Sequence, residues 1–360
     1  MWVAFRVDSS SLRGGGHLFR CMSLALRLRA KGVSCLFVCI EYFGNLIPTL
    51  RAEDFVVKLI PSGDGQLQDH DMSVWCESDQ IKDARQSLIA LGDLPIECIV
   101  VDHYSLDISW EKCVETRCPV TMVVDDLANR QHSCKFLLDP TYGRSESYYL
   151  GLVSASCRTF CGSEYALLGE RFADLRPYSL ARRTQPKVRR LLVSMGASDS
   201  ENLTTRVLTA MVRCGSLSGV ELTLVVGANF RWINSVKKAA DNLDIQHSLS
   251  IGARDMAELM AESDVAIGTG GTTALERCCL GLPSIIIVAA ENQRDLTLSL
   301  VAHGAALFIA DSQNISSQLP SLLDQLIKDS NSRENMSLSA RQVTNGVGAA
   351  LVVSEMFPAL

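Results

Sequence analysis

The sequence predicts an α/β protein of two Rossmann-like domains, each with a doubly wound parallel sheet, that face one another across a cleft. The first observation is length, because 360 residues exceed what one hydrophobic core usually supports. The second is the alternation of short, apolar, β-branched runs with helical patterns, which is typical of parallel sheets. The third is that these runs form two series separated by a polar stretch.

Each series contains five predicted strands that are nearly continuous in apolar residues, as expected for parallel strands buried on both faces. The first series comprises Trp2 to Val7, Cys35 to Ile40, Cys98 to Val101, Val120 to Val124 and Phe136 to Leu138. The second comprises Arg190 to Val193, Leu222 to Val226, Val265 to Ile267, Ser284 to Val288 and Ala306 to Ile309. The repeated pattern predicts one sheet in each domain.

A polar, basic segment with two prolines, RPYSLARRTQPKVRR, predicts a linker at residues 176–190. The predicted domains are therefore residues 1–175 and residues 191–345. The remaining residues, 346–360, contain a helical pattern at Ala349 to Phe357, which the sequence assigns to neither domain.

Charge and hydropathy exclude several classes of partner. The chain has 34 Lys and Arg against 40 Asp and Glu, a net charge of −6, and no long basic run, which argues against nucleic acid. The longest apolar runs have the length of strands, so no membrane span is expected. The hydrophobic excess is weak, and a monomer is favoured.

The thirteen cysteines are predicted to be reduced, mostly buried thiols of a cytoplasmic protein. The sequence shows no signal-peptide pattern, and the adjacent Cys278 and Cys279 are poorly placed for a bridge. No C-x-x-C pair or other metal-ligand spacing occurs. We therefore expect neither a metal nor another cofactor.

The turn after the first strand carries an unusual cluster, DSSSLRGGGHLFRC, at the strand end where open α/β sheets bind ligands. Gly14, Gly15 and Gly16 let the backbone approach a ligand or adopt positive φ. His17 follows in the first turn of a helix, whose dipole disfavours the imidazolium, so this residue is a candidate general base. The alternative is a histidine that only caps the helix or bonds a carbonyl. Asp8 is expected either to orient the ring or to serve as a turn carboxylate.

A second strand-to-helix turn, VSMGASDSENL, opens the second series. The backbone N–H groups around Gly196 and Ser198 could hold a phosphate or a carbonyl oxygen. An equally good interpretation is a helix cap built from Ser198 or Asp199, with Glu201 or Asn202 nearby.

The third turn, DVAIGTGGTTALERCCLGLP, has the strongest pattern. Gly268, Gly270 and Gly271 end a buried strand, and Thr272 begins a helix, which together make an anion site from amides, hydroxyls and a helix dipole. The pattern is neither a P-loop nor G-x-G-x-x-G, so it predicts a diphosphate held without a lysine or a metal. Glu276, one helical turn further, is placed to accept hydrogen bonds from ribose hydroxyls, or is a solvated helix glutamate.

The fourth turn, IIIVAAENQRD, ends in Asn292 and Gln293, whose amides suit sugar hydroxyls and acetamido groups. The alternative is that both residues only form a turn.

Two further strand ends carry acidic residues, VVDHYSLDISWE and MVVDDLANRQH. Paired aspartates suggest a metal site, but no further ligands cluster with them in the sequence. We therefore interpret Asp102, Asp125 and Asp126 as turn and helix-cap residues.

The motifs RVDSSSLRGGGHLFRC, DHYSLD, DDLANRQH, GASDSENLT and AIGTGGTTALERCCLGLPSIIIVAAENQ together resemble the UDP-2,4-diacetamido-2,4,6-trideoxy-β-L-altropyranose hydrolases of pseudaminic acid biosynthesis. The resemblance covers about residues 3–310 in order. It implies the two-domain GT-B glycosyltransferase fold, with hydrolysis as the activity: water attacks the anomeric carbon, with inversion, and UDP leaves.

The resemblance also implies roles for individual residues. The family's G-x-G-H turn falls on Gly14, Gly16 and His17, and His17 matches its general base. The residues of the family that bind the nucleotide or contact the sugar fall on Gly270, Gly271, Glu276, Asn292 and Tyr104. The chain departs from the family at Ala274, Ala197 and Ser200, which puts the fit of the substrate in question more than the chemistry.

Three other functions remain open from the sequence. The first is a GT-B glycosyltransferase that passes the sugar of a UDP-sugar to an acceptor. The second is a non-catalytic nucleotide-sugar binding protein, in which His17 would be dispensable. The third is a hydrolysing 2-epimerase, which needs acid and base groups around C2 of the sugar.

Overall fold

The computed structural model describes residues 1–61, 75–185 and 187–358. The chain folds into two compact units. The first contains the described residues within 1–167 and 348–360, and the second contains those within 168–347.

The first unit is a parallel sheet with helices on both faces. In the described part of this unit, seven strands lie in the order β3-β2-β1-β4-β5-β6-β7. The strands are β1 (Trp2–Val7), β2 (Ser34–Ile40), β3 (Val56–Ile60), β4 (Ile96–Asp102), β5 (Val120–Val124), β6 (Phe136–Asp139) and β7 (Arg158–Cys161). The helices between them are α1 (Gly16–Ala30), α2 (Ile47–Ala52), α3 (Glu77–Leu91) and α4 (Ile108–Val114), with short 3-10 helices at Glu146–Tyr149 and Ser163–Tyr165.

The second unit has the same architecture. Its six strands within the described residues lie in the order β10-β9-β8-β11-β12-β13. They are β8 (Arg190–Ser194), β9 (Glu221–Val226), β10 (His247–Ile251), β11 (Val265–Thr269), β12 (Ser284–Ile287) and β13 (Leu307–Ile309). The helices are α5 (Glu170–Arg182), α6 (Leu203–Met211), α7 (Ile233–Asp241), α8 (Met256–Glu262), α9 (Thr272–Cys279), α10 (Arg294–Ala302), α11 (Ile315–Lys328) and α12 (Ser330–Val343), with 3-10 helices at Glu291–Gln293 and Ser312–Asn314.

The two predicted parallel sheets are confirmed, and their interior strands carry the apolar residues. On β1, Val3, Phe5 and Val7 join the core beneath α1, while Ala4 joins the core on the opposite face. Both faces of β1 are therefore buried, which explains its continuous apolar sequence. A separate core fills the second unit.

The sequence analysis did not predict three strands, β3, β7 and β10. Each lies at the edge of its sheet. Their residues are largely half-buried or exposed, and the sequences of β7 (RTFC) and β10 (HSLSI) do not show the apolar runs of interior strands, whereas β3 (VVKLI) has such a run that the prediction did not include.

The predicted linker at residues 176–190 differs from the structure, because α5 continues to Arg182 and belongs to the second unit. Two of the arginines in this segment contact protein rather than solvent. Arg182 and Arg183 donate to the carbonyls of Glu262 (2.7 Å) and Met260 (3.3 Å) of α8. Residue 186 of the predicted linker lies outside the described residues.

The predicted C-terminal helix is present as α13 (Gly348–Met356), and the structure assigns it to the first unit. Val352 and Val353 are buried in the same core as Leu18 and Ala25 of α1. No helix in the described ranges has both the length and the hydropathy needed to cross a bilayer.

Candidate functional site

The turn between β1 and α1 holds its shape through its glycines. Gly14 has φ of +76°, and its N–H donates to the carbonyl of Ser10 at 3.0 Å. A Cβ on Gly15 would lie 2.5 Å from Leu46 Cδ1, so any other residue here would require the Leu46 side chain to move. Gly16 then begins α1 and places His17 in the first turn, with its side chain 17% exposed.

His17 contacts a carboxylate from the neighbouring strand. β4 pairs directly with β1 and ends at Asp102. The Nδ1 atom of His17 lies 2.5 Å from Asp102 Oδ1. Arg20, three residues after His17, donates to both oxygens of Asp102, through Nε at 2.6 Å and Nη2 at 2.7 Å.

The same arginine joins a second carboxylate and a tyrosine to this cluster. Arg20 Nη1 donates to Asp126 Oδ2 at 2.8 Å. The hydroxyl of Tyr104 donates to the other oxygen of Asp126 at 2.8 Å. The rings of Tyr104 and His17 lie edge to face, with centroids 4.5 Å apart. We call Asp102, Tyr104 and Asp126, together with His17 and Arg20, the histidine cluster.

Charge within the histidine cluster keeps both carboxylates ionised. Burial would raise the pKa of Asp102, but Arg20 and His17 hold it well below its usual range. Burial likewise opposes ionisation of Asp126, and Arg20 is the main cause of its lowered pKa.

An ionised Asp102 accepts a hydrogen bond from Nδ1–H, and we assign the tautomer of His17 on this basis. Nε2 is then the nitrogen that can accept a proton. The carboxylate of Asp102 also stabilises the protonated imidazole of His17. This effect opposes that of the helix dipole, which disfavours the imidazolium.

Asp8 does not orient His17, so that interpretation is wrong. Its buried carboxylate lies 2.8 Å from Arg6 Nη1 and accepts a hydrogen bond from the N–H of Ile40 at 2.7 Å. His103 Nε2 lies 3.2 Å from its other oxygen. Asp8 therefore joins the ends of β1, β2 and β4 beneath the turn.

The interpretation of Asp102 and Asp126 as turn and cap residues is also wrong, because both contact Arg20. For Asp125 it is confirmed, since its carboxylate accepts the N–H of Ala128 at 2.9 Å. Turn rules consider only nearby residues, whereas the sheet order brings the ends of β4 and β5 close to α1. The rule that ligands bind where the strand order reverses, here between β1 and β4, was the signal available for Asp102.

In the second unit, the glycine-rich turn after β11 is held by Gln293, which ends the 3-10 helix between β12 and α10. Gln293 Oε1 accepts the N–H groups of Gly270 and Ala289, each at 3.2 Å. A Cβ on Gly270 would overlap Thr297 Oγ1, whereas a Cβ on Gly271 would meet nothing within 4 Å. Gly271 thus presents its backbone to open space at the N-terminus of α9, where Thr272 is the first residue.

A buried arginine that the sequence pattern did not indicate lies beneath this turn. Arg277 is 2% exposed, and its Nη2 donates to the carbonyl of Thr269 at 2.7 Å. Burial lowers its pKa to about 10, so the guanidinium stays charged at neutral pH. Its positive charge adds to the helix dipole at the glycine turn.

Glu276 is half-buried on α9, next to Arg277. Burial raises the pKa of its carboxyl to about 7, although Arg277 acts in the opposite direction. Of the residues described by the structure, none donates a hydrogen bond to this carboxylate. The group can therefore accept hydrogen bonds from a ligand.

The remaining predicted residues line two other strand ends of this sheet. Gly196 has φ of +89° in the turn after β8. The carboxylate of Asp199, and not the hydroxyl of Ser198, accepts the N–H groups of Leu203 (2.6 Å) and Thr204 (3.0 Å) at the start of α6, whose N-cap residue is Asn202. Asn292 is half-buried in the 3-10 helix after β12.

The structure thus brings together His17 and Tyr104 in the first unit, and the glycine turn, Gln293 and Glu276 in the second. Within residues 1–61, 75–185 and 187–358, no group of three or more His, Cys, Asp and Glu side chains is arranged to hold a metal ion.

Sequence comparison identifies relatives of the whole chain and of its second half. Residues 190–350 match the family described as "Glycosyltransferase family 28 C-terminal domain". The chain is 26% identical over 304 residues to UDP-2,4-diacetamido-2,4,6-trideoxy-beta-L-altropyranose hydrolase of Campylobacter jejuni, covering 84% of this chain and 97% of that protein. It is 25% identical over 317 residues to spore coat polysaccharide biosynthesis protein SpsG of Bacillus subtilis, covering 85% and 83%.

Solved structures with the same fold cover nearly the whole chain. MurG of Acinetobacter baumannii matches with a TM-score of 0.65 at 14% identity, over 99% of both chains. A UDP-GlcNAc 2-epimerase from Neisseria meningitidis, bound to UDP-GlcNAc, matches with a TM-score of 0.62 at 12% identity, also over 99% of both chains. The predicted fold class is confirmed: the protein has two parallel-sheet α/β domains of the GT-B fold and is similar in sequence to a nucleotide-sugar hydrolase.

Proposed function

We propose that this protein hydrolyses UDP-2,4-diacetamido-2,4,6-trideoxy-β-L-altropyranose at its anomeric carbon, releasing UDP, as a step in pseudaminic acid biosynthesis. The observation that carries the proposal is the 2.5 Å contact between His17 Nδ1 and Asp102. A histidine fixed in this way by an ionised carboxylate is arranged as a general base. The similarity to the named hydrolase of C. jejuni, which extends over 84% of this chain, supports the choice of substrate.

We assign the activation of water to the first unit. Nε2 of His17 takes a proton from water as the oxygen attacks the anomeric carbon, and Asp102 stabilises the imidazolium that forms. A positioned general base contributes about 10²–10⁴-fold to the rate. A single displacement by water inverts the anomeric carbon. Tyr104, next to the His17 ring, and Asn292 are assigned to the sugar.

We assign the nucleotide to the second unit. The amides of Gly271 and Thr272, with the charge of Arg277 beneath them, suit the diphosphate and the charge that develops on it as UDP leaves, while Gly270, whose N–H donates to Gln293, holds the turn in place. The carboxylate of Glu276 suits the ribose hydroxyls.

A GT-B glycosyltransferase is the second candidate, favoured by the match of residues 190–350 to a glycosyltransferase family. Both candidates use the same nucleotide site, and they differ in whether water or another hydroxyl attacks. Incubation with UDP-sugars, without any acceptor, followed by anomeric NMR of the product, distinguishes them. Release of free sugar with inverted configuration supports hydrolysis, whereas an intact UDP-sugar supports transfer or binding alone.

The variants His17→Ala and Asp102→Asn test the role of the histidine. We expect both to bind the UDP-sugar with an affinity near that of the wild type, measured by isothermal titration. UDP release should fall by about 10²-fold or more in each, because one loses the base and the other its orientation. Undiminished turnover by His17→Ala would refute the assignment.

A further inference from the structure

Two cysteines of the first unit lie in contact outside the histidine cluster. Cys134 precedes β6, and Cys157 precedes the neighbouring parallel strand β7. Their Sγ atoms are 3.7 Å apart. The backbone beside them is fixed, because the N–H of Arg158 donates to the carbonyl of Lys135 at 2.9 Å. A small change in the side-chain torsions would bring the two sulfurs to bonding distance.

We propose that Cys134 and Cys157 form a reversible disulfide when the protein meets hydrogen peroxide. The thiol of Cys157 loses its proton to solvent, and the thiolate attacks one peroxide oxygen. The S–O bond of a sulfenic acid forms as the O–O bond breaks, and the hydroxide that leaves takes a proton from solvent to become water. The sulfur of Cys134 then attacks Cys157 Sγ, which forms the S–S bond and releases the second water. Two thiols are oxidised, and one peroxide is reduced to two waters.

Accessibility and charge favour these two thiols. Both are half-buried, and residues 154–156, just before Cys157, are exposed, so a small oxidant can reach the pair. The hydrogen bond between the two sulfurs lowers the pKa of Cys157 and raises that of Cys134, while burial opposes ionisation of both. Cys157 is therefore the attacking thiolate, and Cys134 resolves the sulfenic acid.

A disulfide between Cys134 and Cys157 would close a loop, residues 134–157, that supports the histidine cluster. Cys134 and Cys157 are 23 residues apart. Between them, Arg144 donates to the carbonyl of Asp126 at 3.1 Å, and the hydroxyl of Tyr149 donates to the carbonyl of Asp125 at 2.9 Å. A disulfide at the base of this segment restricts the unfolded chain and holds both supports in place.

Peptide mapping of the full-length protein tests the inference without any substrate. The protein is treated with a small excess of hydrogen peroxide, its free thiols are alkylated, and a digest is analysed by mass spectrometry without reduction. We expect the peptides of Cys134 and Cys157 to be joined, with the loss of two hydrogens, and to separate in dithiothreitol. Oxidation of Cys157 to a sulfinic acid, or no joined peptide, would overturn the inference.

Thermal unfolding gives a second readout. We expect oxidation to raise the Tm of the first unit by roughly 5–10 °C, reversibly, because a loop of this size is closed. The rise should disappear in Cys134→Ser and Cys157→Ser and persist in Cys113→Ser, which replaces another half-buried cysteine of the same unit. The same rise in all three variants would contradict the proposal.

Discussion

Among single residues, Glu276 combines the ribose-binding role that we propose for it with a cost to stability. Its carboxyl has a pKa of about 7 in the folded protein, above the ordinary value of 4.5. The native state therefore binds more protons than the unfolded state between these values, and the free energy of unfolding falls as pH rises through this window. Above pH 7, the charge on this half-buried carboxyl costs on the order of 2–3 kcal/mol, because solvent screens part of it.

We predict that Glu276→Gln raises the Tm at pH 8 and leaves it nearly unchanged at pH 4.5, where the carboxyl is protonated. The same variant should bind UDP more weakly, because a neutral amide oxygen accepts hydrogen bonds from the ribose hydroxyls less well than a carboxylate does. For the same reason, UDP binding by the wild type should weaken as pH falls from 8 to 6.

Thermal unfolding measures the change in Tm, and titration calorimetry measures the change in UDP binding. Glu334→Gln, at an exposed position of α12, is the control, and a lower Tm for Glu276→Gln at pH 8 would contradict the prediction.

The sequence predicted His17 and its position in the first turn of a helix, because a glycine cluster at a strand end is a local pattern. It could not predict Asp102 as the partner. The two residues are 85 positions apart, and only the pairing of β1 with β4 brings them together. Local turn rules therefore assigned Asp102 a local role, and selected Asp8, the nearer carboxylate, as a possible partner for His17.

At the scale of elements, the turn between β11 and α9 contains two adjacent glycines, Gly270 and Gly271, that differ in how much space a side chain would have. Gly270 packs against Thr297, whose hydroxyl is buried and donates to the carbonyl of Gln293 at 2.7 Å. Gly271 has open space in the direction of a Cβ and φ of −77°, which any residue adopts.

We predict that Gly270→Ala destabilises the protein by about 1–3 kcal/mol, because the added methyl group displaces Thr297. Gly271→Ala should change stability by less than about 0.5 kcal/mol. Both should weaken UDP binding, the first by moving the turn and the second by occupying space beside the amides. Urea unfolding and titration calorimetry of the two variants provide the comparison, and equal stability would show that the turn adapts.

Apolar sequence patterns predict edge strands less well than interior strands. Interior strands such as β1 and β12 are buried on both faces, and their apolar sequences predict them directly. An edge strand such as β10, with the sequence HSLSI, has few buried side chains, so its sequence resembles that of a loop. This segment is a strand because it pairs with β9, and its own sequence does not indicate that pairing.

For the whole molecule, the length of the chain predicted two domains, but the composition of the sequence did not predict the boundary between them. Proline and basic residues suggested a linker at 176–190, whereas α5 contains Pro177 and uses its arginines to contact α8. Composition alone does not distinguish an arginine in solvent from one that donates to buried carbonyls.

We predict that residues 168–347, expressed alone, fold cooperatively, because this continuous segment contains a complete sheet with its own core. A single urea transition with native-like circular dichroism would be the expected result. Residues 1–167 alone should be less stable than the same unit in the full chain, because Val352 and Val353 of α13 are absent from the core. A stable 1–167 fragment and an unfolded 168–347 fragment would contradict this division.

α13 follows the second unit in the chain but belongs to the first, and this affects the order in which the two units fold during synthesis. The first unit is translated first, yet its core is completed only when residues 348–356 leave the ribosome. The second unit, being continuous, has all its residues available before that moment. The second unit can thus fold before residues 348–356 become available to complete the core of the first.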